Sequence, residues 1–257
     1  RHDAMAKTMQ RLVGIGDSFQ HFATSGQHVP STAFSTRFML SDQLATLLEQ
    51  VQNEASDTAR LHAARMLLYL GRHKDSLKLI QPLVDQGING KALAFHGALC
   101  AAMGDMGNAW ESSGIAIQAA PNSAFVMICN AFVRACQAGN EEDVLTAANA
   151  VGETLLLLEQ SHEATLGTGV ERLEVLLLRG RLYLLMPKAF KVRDRGIADL
   201  ETVNSECHTL TETPDSGFGA IMQLRAAFDL ASVLTHQTPR AIELYRQVIL
   251  IDPSCKL

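Results

Sequence analysis

The chain has 257 residues, 47% of them apolar, 19% charged and only 5% aromatic, with a formal net charge of −5. That balance excludes wholesale disorder, which needs few apolar residues and many charges, and a general nucleic-acid grip, which needs a basic face. No apolar run reaches the roughly 18–20 residues of a membrane span, and the longest, Leu173–Met186, is interrupted by Arg179 and Arg181.

Residues 1–40 read as a separate N-terminal segment. An amphipathic helix is expected over Met5–Phe22, followed by the Ser/Thr/Gly-rich stretch Ala23–Thr36. Its expected role is a tether or cap, and it could cover an apolar groove elsewhere in the chain. Ser41 or Asp42 then caps a short helix through about Asn53, with Leu44, Leu47, Leu48 and Val51 at helical spacing.

From Ser56 onward the chain repeats itself. Gly71, Gly104 and Gly139 fall 33 and 35 residues apart, each ending one apolar stretch just before another begins. A period near 34 is the mark of stacked helical hairpins. The predicted pairs are Asp57–Leu70 with His73–Gln86, Gly90–Met103 with Asn108–Ala119, and Phe125–Ala138 with Glu141–Leu158. A linker is expected over Ser161–Gly169. A fourth pair follows, Val170–Met186 with Arg195–Cys207, its halves separated by the insert 187–194. After a polar loop over 208–217 come Phe218–Leu234 and Pro239–Ile251, with Pro239 at the first turn, where a missing N–H costs nothing. Residues 41–257 therefore read as one all-α array with irregular inserts near 187–194 and 208–217.

The register can be counted. From Gly90, the residues Leu93, Gly97, Cys100, Gly104, Ala109, Ala116 and Pro121 stand at places 4, 8, 11, 15, 20, 27 and 32. Small residues at 8 and 20 let two helices approach closely, and larger ones fill the seams. Leu176, Gly180 and Tyr183 repeat places 4, 8 and 11; Ala241, Tyr245, Val248 and Pro253 repeat 20, 24, 27 and 32; Leu77, Trp110, Leu145 and Ile242 share the apolar place 21. Phe132 and Val144 break the small pair at 8 and 20, so the third hairpin is expected to splay or rotate.

These matches resemble the tetratricopeptide superfamily over about 200 residues. The stretch Leu61–Ala148 is also similar in helix lengths and turn placement to the tetratricopeptide subunit of the cytoplasmic mRNA deadenylase, the carbon catabolite repression–NOT complex. The resemblance implies a right-handed superhelical solenoid of about four to five antiparallel helix pairs. It also implies a concave groove that binds a partner through places 2, 5, 9, 12 and 13 of each first helix. Among the residues so placed are Leu61, Arg65, Leu68, Tyr69, Lys91, Ala98, Val133, Gln137 and Arg181. The lining is largely apolar, so the expected occupant is an apolar helix or extended segment of a protein partner. The carboxylate clamp of chaperone-binding members is lacking; only Arg65, Lys91 and Asn130 are loosely placed for it. Trp110, at place 21, is expected in the core between repeats, and Tyr69 is the stronger groove anchor.

Catalytic patterns do not assemble. Gly16-Asp17-Ser18 imitates an esterase nucleophile block but has no later Asp-x-x-His to activate the serine. His162-Glu163 lacks the second histidine of a zinc helix, and no phosphate-cradling glycine loop occurs. His96 reads as a hydrogen-bonded core residue. The five cysteines show no zinc spacing and read as free thiols of a reducing compartment, the first three buried. No catalytic residue, cofactor or metal is expected. The function expected is a non-catalytic scaffold or adaptor in a cytoplasmic multiprotein complex, with homo-oligomerisation through an uncapped terminal repeat left open. The alternative is an enzyme accessory subunit, or cargo of a peroxisome-type organelle imported through the tail Cys255-Lys256-Leu257.

Overall fold

The computed structural model describes residues 56–69, 72–140, 144–163, 169–186, 190–210, 216–234 and 237–251, with the single positions 46, 48, 49 and 53. Among the described residues the regular elements are helical, as the periodicity predicts, and none is a strand. From residue 56 on, the described residues form ten bounded α-helices: α1 Asp57–Tyr69, α2 His73–Asp85, α3 Gly90–Ala102, α4 Met106–Ala119 and α5 Ala124–Asn140 come first. Then come α6 Val144–Glu163, α7 Val170–Leu185, α8 Arg193–Glu206, a 3-10 turn Cys207–Leu210, α9 Ser216–Val233 and α10 Thr238–Ile251. The expected N-terminal helix Met5–Phe22 and the linker to Thr36 lie outside the described residues.

Local chemistry sets the boundaries. The Asn89 side chain accepts a hydrogen bond from the Ala92 N–H at 3.1 Å and so caps α3. Gly104 ends the same helix at φ +83, in the left-handed region where a side chain would be strained. There the Gly104 N–H donates to Ala101 O at 3.0 Å and the Asp105 N–H to Cys100 O at 2.9 Å, which satisfies two otherwise orphaned carbonyls. Asp105 then caps α4, accepting from the Asn108 N–H at 3.2 Å and the Asn108 side-chain amide at 2.7 Å. Those bonds hold its carboxyl below the usual carboxylate range.

Three boundaries differ from the sequence expectation. Helix α5 continues through Gly139-Asn140, where a turn is expected. Helix α6 runs on to Glu163, through the first residues of the expected linker. Polar residues survive inside α6 because they bond to its own carbonyls: Thr154 to Ala150 O and Ser161 to Leu158 O, both at 2.8 Å and both fully buried. Finally, the 3-10 turn occupies the start of the expected loop over 208–217, because Cys207 and Leu210 are buried. A Cβ on Gly219 of α9 would stand 3.1 Å from that of Leu210.

By internal packing the chain divides into two units. Unit 1 holds α3 to α6 with residues 182–193. Helix α3 packs on both α4 and α5, α4 on α5, and α5 on α6. Its core includes Leu93, Leu99, Phe125, Ile128 and Leu158. Unit 2 holds α1, α2 as far as Ile80, α7 from its start to Arg181, α8, the 3-10 turn, α9 and α10. Met66, Leu67, Phe218, Ile221, Met222 and Leu244 fill its interior. Each such side chain contributes about 1.5–3 kcal/mol by leaving water.

Within each unit, helix pairs touch where the register demands small residues. A Cβ placed on Gly97 would meet the Ala109 carbonyl at 3.0 Å and the Ser113 nitrogen at 3.3 Å. In unit 2, Ser76 at place 20 of the first pair bonds to the Ala64 carbonyl at place 8, at 2.6 Å. Gly180 lies against the Gly196 carbonyl and Leu200 at 3.0 Å and Asp199 at 3.1 Å, measured in the same way. Gly114, on the exposed side of α4, has open space instead. Two identical substitutions should therefore act in opposite directions. Gly114→Ala is expected to stabilise by about 0.5–1 kcal/mol through helix propensity. Gly180→Ala gains the same propensity but overpacks a backbone contact, an effect of about 1–3 kcal/mol that wins. Thermal or denaturant melts check both signs; equal shifts would refute the close approach.

Candidate functional site

The residues expected to line a binding groove fall in both units. In unit 1, Lys91 and Ala98 of α3 and Gln137 of α5 are half-buried, whereas Val133 is fully buried and belongs to the core. The surrounding seam is stitched by polar pairs. Neighbouring serines of α4 reach opposite ways: Ser112 Oγ lies 2.8 Å from His96 Nδ1 of α3, and Ser113 donates to Asn130 Oδ1 of α5 at 3.0 Å. Asn130 is thus held within the core, 4% exposed, and does not act in a carboxylate clamp. On the outer side, Arg134 of α5 stacks 4.1 Å over the Trp110 ring and reaches Glu153 of α6 at 2.8 Å. Trp110 is half-buried under that guanidinium.

In unit 2 the corresponding positions are engaged internally. Leu61 is buried and Leu68 half-buried on α1; the Tyr69 side chain lies outside what the structure describes. Arg65 donates from Nε to Glu174 Oε1 of α7 at 3.0 Å, and its guanidinium sits 5.2 Å from the Phe218 ring of α9. His62 meets the same ring edge-on, centroids 5.1 Å apart. Arg181 contacts Asp229 Oδ2 of α9 at 2.7 Å, and Arg225 reaches that oxygen at 3.2 Å. Burial pushes the Asp229 carboxyl up, while the charge and hydrogen bond of Arg225 pull against that shift. First helices that the repeat pattern sets apart in sequence, α1, α7 and α9, therefore meet through charged side chains.

Helix α7 is the hub of this ionic set. Seven residues separate Arg172 from Arg179 and Glu174 from Arg181, so the charges form two stripes. One stripe faces α8: Arg172 pairs with Glu206, and Arg179 grips Asp199 with two bonds of 2.7 Å. The other turns to α1 and α9. Breaking such a buried pair by removing one partner costs about 3–5 kcal/mol, because the remaining charge is left without compensation. The sequence reading singles out Arg65 and Arg181 but misses Glu174, Asp199, Asp229 and Phe218. The available signal was the seven-residue spacing of charges on an otherwise apolar stretch.

One arrangement imitates a nucleophilic centre. Cys100 Sγ lies 3.5 Å from His96 Nε2, and Ser112 holds the other ring nitrogen. An activated pair needs a lowered thiol and a charged imidazole. Here burial pushes the Cys100 thiol up to about 11 and holds His96 below its ordinary value, against the raising effects of Asp105 and Asp85. Both groups are neutral, and both are buried. Cys136 and Cys207 are likewise pushed up to about 12 by burial. Cys100, Cys129, Cys136 and Cys207 are free thiols. Among the described residues no three His, Cys, Asp or Glu side chains gather to hold a metal ion, and no helix is long and apolar enough to cross a membrane. Gly16-Asp17-Ser18 and Cys255-Lys256-Leu257 lie outside the described residues.

No family model matches the chain, and no curated protein matches it.

The buried histidine gives a pH signature. His96 is held neutral in the folded chain and binds a proton at about 6.5 when unfolded, so its stabilising effect is present above that value and lost on acidification. His73, lowered by burial, acts in the same direction. Melting temperature is expected to fall between about pH 7.5 and about pH 5.5, and His96→Gln should flatten the slope. A slope unchanged by that substitution would show that His96 is not the group responsible.

Proposed function

We propose that this chain is a non-catalytic interaction scaffold of the tetratricopeptide kind, one subunit of a cytoplasmic multiprotein complex. The observation that carries the reading is the recurrence of one contact at one register. Place 8 meets place 20 as Ala64 with Ser76 and as Gly97 with Ala109. Successive hairpins built on a shared small-residue contact make a stacked array, and such arrays act by presenting side-chain rows to other proteins. Four buried free thiols support a reducing compartment. The neutral Cys100–His96 pair supports a structural rather than a chemical use of that nucleophile-like cluster.

The docking face fits unit 1 best. Lys91, Ala98 and Gln137 lie half-buried on the first helices α3 and α5, and Ala98 is small enough for a partner helix to come close. In unit 2 the equivalent places, Arg65 and Arg181, are already ion-paired, which leaves Leu68 as its contribution. The partner chemistry that matches is an apolar helix or extended segment. Affinity purification of the tagged chain, read by quantitative mass spectrometry, tests this directly. Ala98→Arg should reduce recovery of the specific partner by about tenfold or more while leaving the melting temperature within a few degrees. Undiminished recovery would exclude this face.

A further inference from the structure

The exposed aliphatics are not spread evenly. In unit 1 they are scattered over several elements, from Ile88 to Leu156 and Phe190. In unit 2, the large apolar side chains left exposed among the described residues are Ile242, Ile249 and Leu250, all on α10. Spacings of seven and eight residues put them on one stripe. The opposite side of α10, with Ala241, Leu244 and Val248, is buried, and α10 packs on α9. Leu250 is the most exposed of the three on the stripe, at 80%.

The register shows what such a stripe normally meets. Ile242 stands at the same repeat position as Trp110 of α4. In that earlier pair the next first helix, α5, covers the position, with Arg134 lying 4.1 Å over the indole. Ile242, at 46% exposure, has no such cover among the described residues. The charges beside the stripe say what fits it. Glu243 and Arg246 stand three residues apart, next to the aliphatics, with opposite signs. Glu243 is shared with Arg240 at 2.8 Å, but its side chain remains 58% exposed and able to accept a second cation. No ion pair involving Arg246 occurs among the described residues.

We propose that α10 docks against α10 of a second copy of this chain, antiparallel, about a two-fold axis passing at residue 245. A dyad at that point brings Ile242 to within one residue of the place opposite the partner's Ile249, and Leu250 to within one residue of the place opposite the partner's Pro239. It also places Arg246 within reach of the partner's Glu243, twice, so the pattern is complementary to itself. The helix has 14 residues, about 21 Å of length, so the contact lies below the standard interface size and the dimer is weak and concentration-dependent. This surface is separate from the face on α3 and α5, and either can hold without the other.

Sedimentation velocity or light scattering over a concentration series of the full chain is the test. The wild type should shift from monomer towards twice the monomer mass as concentration rises. Ile249→Glu, an exposed site where folding is not at stake, should weaken association by about tenfold or more. Glu243→Arg and Arg246→Glu should each weaken it as well, and the double charge reversal should restore it, because the swapped pair is again complementary. Circular dichroism confirms that each variant is folded. A wild type that stays monomeric at its highest soluble concentration overturns the proposal. So does a dimer indifferent to Ile249→Glu, or a double reversal no better than the singles.

Discussion

Two helices can nest along their length only if their backbones approach where they cross, and everything else in this chain depends on that approach. At Gly97 and at Gly180 the position a Cβ would take is 3.0 Å from a carbonyl of the following helix. No larger residue fits without displacing backbone. Once the crossing point is fixed, the larger residues have defined seams to fill: Leu93 and Leu99 in one unit, Met66 and Phe218 in the other.

Electrostatics supplies what apolar seams cannot, a choice among similar helices. Many of these helices are mutually alike, rich in alanine and leucine, and dispersion alone discriminates poorly between them. In unit 1 neutral pairs join the exposed Arg134–Glu153 ion pair, with Ser112 and Ser113 of α4 bonded to opposite neighbours. Unit 2 uses full charges, with α7 linked to α1, α8 and α9 through Glu174, Arg179 and Arg181. Such pairs add little net stability once desolvation is counted, but a wrong alignment would leave a charge buried and alone. Their contribution is to register.

How much of this was legible follows from range. Helix spans rest on local periodicity and capping, and nine of these ten helices begin and end within two residues of the pattern-based expectation. Gly104 is readable because a left-handed turn needs glycine, and Pro239 because a first helical turn tolerates proline. The run of α6 to Glu163 was hidden, since Ser161 looks like loop until its hydroxyl is seen bonded to Leu158 O. The partners of Arg65 and Arg181 were illegible for a different reason. Glu174 lies 109 residues from Arg65, and nothing local announces a pairing at that distance. The candidate face on α3 and α5 could be placed from register alone, but register did not show that Val133 is sealed in the core or that Asn130 is held by Ser113.

The proposed scaffold role needs helices whose outward rows stay in order, and the glycine crossings fix where the helices touch. The most direct measurement is a proton nuclear Overhauser spectrum of the assigned chain. Cross-peaks should join a Gly97 Hα to the Ser113 amide proton, and a Gly180 Hα to the Asp199 Hβ protons. Their presence means the backbones touch where the small residues stand. Their absence, with all four resonances assigned and sharp, would mean the helices cross elsewhere and that the small residues do not set the packing.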